Sequence, residues 1–450
     1  MLIAIILLPI LIGTLSAVWK GGARKTRWIV LVALQAAETA LVIAAAVNGG
    51  DYATDIWRIT ESLTVALRLD GVARLFTVLT ACAWLVTLIF AAEYMKHGAH
   101  EPRFLTFLFI TEGVLLGTAL SADFVSMYVF YELTSLCSMP LVLHELTRES
   151  VTGAVKYLYY SIGGAFFVLF GIAVLYANTD TLNFAVGGTL TGAHTPLVLL
   201  AIFFMIIGFG TKAGVIGIIR VIYFIAGADT LRGTWVQTAG LILALFTVFM
   251  GSMMAYGEKD FKKRLAYSSI SQISYVLTGL FILSPEGLEG GLLQVFFHAG
   301  AKIGLFLAAG AIIYLTGYRS VDDFRGLGRR MPVTFLALVF LALSLVGIPP
   351  FGGFFSKWHI ALAALEALPG ALAYIAPAVL LVSALLTAGY LFTPIIRGFF
   401  PGEGYALGEP IREPRAMIVP LLFLAAVCGL LGFVSGPVTS VMEAIAGGMM

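Results

Sequence analysis

Lys357 lies in otherwise apolar sequence, just beyond the stretch Val346-Gly347-Ile348-Pro349-Pro350-Phe351-Gly352-Gly353. Pro349 and Pro350 each lack a backbone donor, and Gly352 and Gly353 loosen the chain, so no helix passes through unbroken. Within a bilayer, broken helices are tolerated only where they are buried in protein or line a wet cavity. A charge at mid-membrane costs about 2.5–3.5 kcal/mol on insertion scales and marks ion pathways. A broken helix beside a buried lysine is how transporters build a site. The plainer alternative is a proline kink with Lys357 snorkelling to the surface. Against it, about ten further, mostly apolar residues follow the lysine, more than its stem can span.

Other charges stand in comparable surroundings. Glu132 lies within Asp123–Leu143, near the middle of an apolar run, and Lys212 lies in Gly208-Phe209-Gly210-Thr211-Lys212-Ala213-Gly214. His298 and Lys302 are four apart, which puts both on one helix face. These groups, with Lys357, are the candidate proton pathway: Glu132, Lys212, His298, Lys302 and Lys357. Lys156, Glu112 and Arg220 are secondary candidates. Each has a bland reading: Lys156 can snorkel, Glu112 can be a structural partner for a lysine, Glu38 reads as peripheral, and a lone histidine is more often a packing residue. As a set they are harder to dismiss, because several central charges cost several kcal/mol unless paired or hydrated.

The elements that must hold these groups are membrane helices. Hydrophobic residues make up 60% of the 450, charged residues 12%, and the mean hydropathy is +0.98; soluble chains do not have this composition. The net charge of +2 gives no basis for a nucleic-acid partner. Cys82, Cys137 and Cys428 stand far apart, so neither a disulfide framework nor an iron–sulfur site is readable. No nucleotide, dinucleotide or zinc motif occurs, and no cofactor or metal is expected. The apolar N-terminus reads as a first span, since no small-residue cleavage site follows it.

Runs of bilayer length give about 13 spans, beginning near Leu2, Trp28, Val72, Phe104, Asp123, Gly153, Pro196, Trp235, Leu265, Leu288, Pro332, Ala371 and Met417. The longest polar connection, 48–70, carries Asp51, Asp55, Arg58, Glu61, Arg68 and Asp70. The chain is read as one membrane domain over 1–450: N-terminal helices 1–103, a first repeat 104–227, a second repeat 235–396 and a C-terminal helix 416–450. Lys20, Arg24, Lys25 and Arg27 place the first loop in the cytoplasm and the N-terminus outside, and Lys96, Arg103 and Arg148 fall inside in turn.

The set of motifs resembles the antiporter-like membrane subunits shared by respiratory complex I, Mrp-type cation/proton antiporters and membrane-bound hydrogenases. The stretches that carry the resemblance are Tyr131-Glu132-Leu133-Thr134-Ser135, Phe209 to Gly214, Lys263-Arg264-Leu265-Ala266-Tyr267-Ser268-Ser269-Ile270-Ser271, His298-Ala299-Gly300-Ala301-Lys302, and Gly347 through Lys357. It implies an all-α polytopic fold of about 13–14 transmembrane helices, with two inverted five-helix repeats, each containing a broken helix. It also implies a central row of lysines alternating with carboxylates or histidine. Carried over, Glu132 is the first carboxylate of the row, Lys212 its partner on the first broken helix, Lys302 with His298 the central relay, and Lys357 the terminal lysine. Phe209-Gly210-Thr211-Lys212 and Phe354-Phe355-Ser356-Lys357 read alike, as repeats should. The chain ends soon after its last span, so it resembles the D-type Mrp subunit, its hydrogenase relative or the M/N-type of complex I more than the extended types. Expected partners are other membrane subunits, the bilayer, and protons or sodium as the cargo. The driving reaction is expected elsewhere, in a prokaryotic cell membrane with both termini outside. A stand-alone solute transporter and a non-conducting structural subunit are the competing readings.

One run does not fit. Pro196–Ala226 is 31 residues long. That is ~46 Å as a single helix, well beyond a ~30 Å core, yet two full spans need roughly 40 residues. A single crossing would put Lys259, Lys262, Lys263, Arg264, Arg319, Arg325, Arg329, Arg330, Arg397, Arg412 and Arg415 outside; an even number puts them all inside. The family pattern continues after its first broken helix into a further lysine-bearing helix. Here Thr211-Lys212-Ala213-Gly214 runs straight into Val215–Arg220, so about 30 residues, roughly a turn and one bilayer-length helix, are expected to be absent between 212 and 215. The alternative is a compact re-entrant hairpin turning at Gly208 to Gly214.

Overall fold

The computed structural model describes all residues except 20, 51, 59, 61–63, 99, 180, 191–194, 213 and 407. Lys20, Asp51, Glu61 and Ala213, which entered the sequence reading, therefore lie outside the described residues. Two compact units are formed: Met1–Leu88 with Met95–Leu231 and Gly448–Met450, and Ile89–Tyr94 with Arg232–Gly447.

The first unit begins with α1 (Leu2–Val18) and α2 (Arg24–Val47). The polar 48–70 connection is not a plain loop. Ala53–Arg58 (β1) and Thr64–Arg68 (β2) form an antiparallel hairpin. Its signal is the period-two alternation of β2, which buries Val65 and Leu67. Backbone bonds at Ala66 tie β2 to Ala122, and the Ala66 N–H donates to Ser126 Oγ at 2.8 Å. Then come α3 (Gly71–Tyr94), α4 (Glu101–Leu120), α5 (Phe124–Val142) and α6 (Arg148–Asn178). Asp123 and Thr147 cap α5 and α6 by accepting from the Ser126 and Ser150 amides.

The misfit run folds as a hairpin. Helix α7 (Pro196–Gly210) is capped by Thr195, and the chain returns through α8 (Val215–Ile219) and a π-helical turn, Arg220–Ala226. At the turn the Lys212 and Gly214 amides both donate to Phe209 O, at 3.3 and 2.9 Å. At the far end the Thr189 and Leu190 amides donate to Ile225 O, so the run leaves near where it began. Gly227, at φ +80, closes this end where a Cβ would lie 2.3 Å from Gly187 O. The compact hairpin is thus the alternative that the described residues adopt. Seven residues of π-helix are unusual, since such turns are rare and short, and they mark local distortion on the return leg. Helix α9 (Ala228–Leu231) ends the unit.

The second unit holds α10 (Trp235–Gly257), α11 (Phe261–Ile282), α12 (Pro285–Thr316), α13 (Leu327–Arg330), α14 (Pro332–Val346), α15 (Gly352–Ala367), α16 (Leu372–Phe399), α17 (Arg415–Phe433) and α18 (Gly436–Gly447). The long α12 is central, packing on α11, α14, α15, α17 and α18. The helix break expected at Pro349, Pro350, Gly352 and Gly353 separates α14 from α15. A Cβ at Gly353 would lie 1.9 Å from Ser344 O, so only glycine lets the two halves approach so closely. Ten described helices are long and apolar enough to cross a membrane. The remaining spans of the sequence reading are α1, the broken α14–α15 and the short α7. The C-terminal stretch 416–450 is two helices, α17 and α18, not one.

Candidate functional site

In the first unit, α5 carries Glu132 and the hairpin tip carries Lys212. Lys212 Nζ donates to Glu132 Oε1 at 2.9 Å and to Ser135 Oγ, one turn along α5. The ammonium also lies 4.1 Å from the centre of the Tyr131 ring, a cation–π contact that strengthens where water is scarce. Tyr131 fixes the hairpin tip in turn: its ring packs edge-on against Phe209, and its hydroxyl donates to Phe209 O at 3.3 Å. The two charges expected to meet do meet, and the pair is largely removed from water.

The secondary candidates are placed elsewhere. Lys156 is exposed on α6, as expected of a snorkelling lysine. Arg220 is 1% exposed and joins neither Glu132 nor Lys212. Its guanidinium donates to both oxygens of Asp70, at 2.5 and 3.0 Å, and lies over the Phe184 and Phe224 rings. Burial pushes the Asp70 carboxyl up, but the Arg220 charge and hydrogen bonds outweigh it and hold the group below the usual carboxylate range. Among the described residues Glu112 has no lysine partner. It and Glu38 are both fully buried, and the Gln35 amide bridges them, donating to Glu112 Oε1 at 2.6 Å and to Glu38 Oε2 at 3.0 Å. Glu38 is therefore not peripheral. Its 3.6-periodic neighbours Leu31, Gln35 and Val42 are buried with it, a stripe readable in the sequence.

In the second unit, Lys357 Nζ donates to Leu345 O at 2.7 Å and to Val346 O at 2.8 Å. These are carbonyls of the last turn of α14, left without helical partners by the break. The ammonium also lies 4.8 Å from the Tyr275 ring centre. Lys302, 5% exposed, donates to Leu265 O at 2.8 Å. His298 lies one turn before it on α12, within electrostatic reach of both Lys302 and Lys357, and its Nδ1 is buried with no partner among the described residues. No carboxylate pairs with Lys302 or Lys357 among the described residues; backbone carbonyls take that place.

Charge-based reading missed the neutral polar groups between these lysines. Gln294 on α12 donates to Gln272 on α11 at 2.9 Å and accepts from Ser356 on α15 at 2.6 Å. Ser268 and Tyr390 share a hydrogen bond of 2.5 Å, and Ser252 bonds both Ser271 and Ser383. The signal was present: Ser268, Ser271, Gln272 and Tyr275 follow helical spacing on one face of α11. At the end of this unit where α11 begins, Asp322 accepts from Arg397 at 2.5 Å and meets Lys259 at 3.4 Å, and these bonds hold its carboxyl below the ordinary value.

A polytopic membrane protein with half-buried lysines at helix breaks has the architecture of ion-coupled transport proteins. The chain belongs to the transmembrane family NADH:quinone oxidoreductase/Mrp antiporter, whose model matches residues 121–218 and 211–387. It is 33% identical to NADH-quinone oxidoreductase subunit N of Desulforudis audaxviator (strain MP104C), covering 84% of this chain and 83% of that one. It is 27% identical to the D-type Na(+)/H(+) antiporter subunit of Alkalihalophilus pseudofirmus, covering 83% and 81%. Its fold matches a chain in the structure of the Mrp complex from Dietzia sp. DQ12-45-1b with a TM-score of 0.85, at 22% identity over 100% of this chain and 97% of that one.

The two family matches overlap at 211–218, so Thr211-Lys212-Ala213-Gly214 fits the family pattern at two places at once. The 33% alignment extends over 425 positions yet takes up 84% of 450 residues, about 378, leaving about 47 positions without a counterpart here.

Proposed function

We propose that this chain is an antiporter-like subunit of a multi-subunit membrane complex and moves protons, or protons against a cation, across the bilayer. The proposed row is Glu132 and Lys212 in the first unit, and His298, Lys302 and Lys357 in the second. The first repeat is taken as 104–227 and the second as 235–396, each with a lysine beside its helix break. The observation that supports this best is the state of the second-unit lysines. Lys302 is buried and Lys357 half-buried, neither has a carboxylate partner among the described residues, and both rest on backbone carbonyls that accept from either an ammonium or a neutral amine. Such a lysine can gain or lose a proton without dismantling its surroundings, and a charge arriving at one site alters the next. Water completes the gaps, since the side chains do not touch. The arrangement of basic loops supports a prokaryotic cell membrane with both termini outside.

The test is Lys302→Ala in the assembled complex reconstituted into vesicles. Proton translocation should be lost while the mutated chain still co-purifies with its partners; undiminished translocation would remove Lys302 from the row. The shortened first repeat favours a second reading, in which the Lys212–Glu132 pair is a fixed structural ion pair and only the second unit conducts. Lys212→Ala with translocation intact would select it.

A further inference from the structure

The seam between α12 and α15 carries polar groups beyond the lysine row. The two helices run antiparallel with a constant register. Phe297 meets Gly352, Gln294 meets Ser356, and Gly290 meets His359 and Ile360. A Cβ at Gly290 would lie 3.1 Å from the Cβ of His359, so the missing side chain brings the imidazole up against α12. There His359 Nδ1 lies 3.7 Å from Glu289 Oε1 and 3.8 Å from Glu286 Oε1. Glu289 is 8% exposed, and its Oε1 has no hydrogen-bond partner among the described residues. Glu366, on the last turn of α15, is within electrostatic reach of Glu286, and Glu443 on α18 within electrostatic reach of Glu289. From Ser356 through His359 to Glu366, the groups are spaced one to two helical turns apart. Exposure rises outward: Glu289 is buried, His359 and Glu286 are half-buried, and Glu366 and Glu443 are exposed.

We propose that Glu286, Glu289, His359, Glu366 and Glu443 form a proton-exchange mouth, a site that takes protons between Lys357 and the water at the end where α12 begins. A buried carboxylate with an unpartnered oxygen, facing an imidazole that can donate or accept, can hold a proton in transit. The proton leaves Lys357 Nζ as the ammonium becomes an amine. It passes by water along Ser356 and Gln294 to a Glu289 carboxylate oxygen, then to His359 and Glu286, and leaves from Glu366 or Glu443 to solvent. The elements packed around the site add no competing charge: α11, α16 and α17 carry their charged side chains at the opposite end, and α14 has none. Arg232, whose guanidinium donates to Leu283 O at 2.8 Å, is a cation at this end of the unit. The inference rests on the proton-translocating reading above.

The experiment compares the complex carrying the natural chain with complexes carrying Glu289→Gln, His359→Gln, Glu289→Asp and the exposed Glu366→Gln. Each is reconstituted into vesicles, and proton flux is followed with a trapped pH dye as pH is varied on one face at a time. Glu289→Gln and His359→Gln should each lower flux about tenfold or more and flatten its pH dependence on one face only. Glu289→Asp should restore most of it, and Glu366→Gln should lower flux less than Glu289→Gln does and shift the pH profile on that same face. Wild-type flux and pH profile in Glu289→Gln, His359→Gln and Glu366→Gln, with the natural complex conducting, would overturn the mouth and leave the lysine row standing. A natural complex that moves no protons would overturn both.

Discussion

Replacing Lys357 by arginine separates its two jobs. Its ammonium satisfies Leu345 O and Val346 O at the end of α14, and in the proposed row it also gives up a proton. Lys357→Met removes both functions. Each buried carbonyl left without a donor costs about 1–3 kcal/mol, so two should destabilise the second unit by about 2–6 kcal/mol. Arginine has several donors in a planar fork and can serve both carbonyls, but it is not deprotonated in proteins. Lys357→Arg should therefore keep most of the stability lost in Lys357→Met while still abolishing translocation. The assays are thermal unfolding of the detergent-solubilised complex, followed by α-helical signal, and proton flux into vesicles. Room for the longer side chain is the structural constraint. Gly347 lies against the stem, where an added Cβ would be 3.0 Å from Lys357 Cδ, and its lack of a side chain leaves the space. Translocation by Lys357→Arg at the natural rate would show that no proton is exchanged at this position. Equal stability of Lys357→Met and the natural protein would show that the lysine does not hold the break.

Arg220→Leu should destabilise the first unit by about 3–5 kcal/mol, because it leaves Asp70 in the fold without its partner; Asp70→Asn with Arg220→Leu should recover part of that in a double-mutant cycle. Because the Asp70 carboxyl is held below its ordinary 3.8, the stability it contributes should be fully present above that pH and lost as pH falls below it, which acid unfolding of Asp70→Asn against the natural chain measures. Glu38→Gln should be tolerated better than Gln35→Leu, since the glutamine variant keeps a polar partner for Gln35 whereas leucine leaves two buried carboxyls unbridged; thermal unfolding ranks them, and the reverse order would refute the bridge.

The sequence showed the charges more clearly than their surroundings. Lys212 and Glu132 could be paired in advance because each was an isolated charge at bilayer depth and needed a partner. The break before Lys357 was legible because two prolines and two glycines leave a helix no way through. Less visible was what the lysines rest on. A carbonyl is present at every residue, so nothing in the letters marks Leu345, Val346 or Leu265 as acceptors; only the break and the packing of α11 against α12 make them so. Glu38 was misjudged for a related reason: a carboxylate near a chain end looks peripheral until the helix that buries it against Gln35 and Glu112 is in place. The hairpin at 196–226 shows what arithmetic can and cannot decide. Length argued against one span and two full spans, and the basic loops favoured an even number of crossings; this left the compact hairpin as the alternative to an absent stretch, and the arithmetic could not choose between them. Where the turn falls depends on Phe209 O, which accepts from Lys212 and Gly214, and on Tyr131, whose ring and hydroxyl hold the same residue. The hairpin thus delivers its lysine to Glu132, because the pair needs only the tip of α7 and one face of α5, while the return leg carries the distortion as π-helix and is anchored by Arg220 on Asp70.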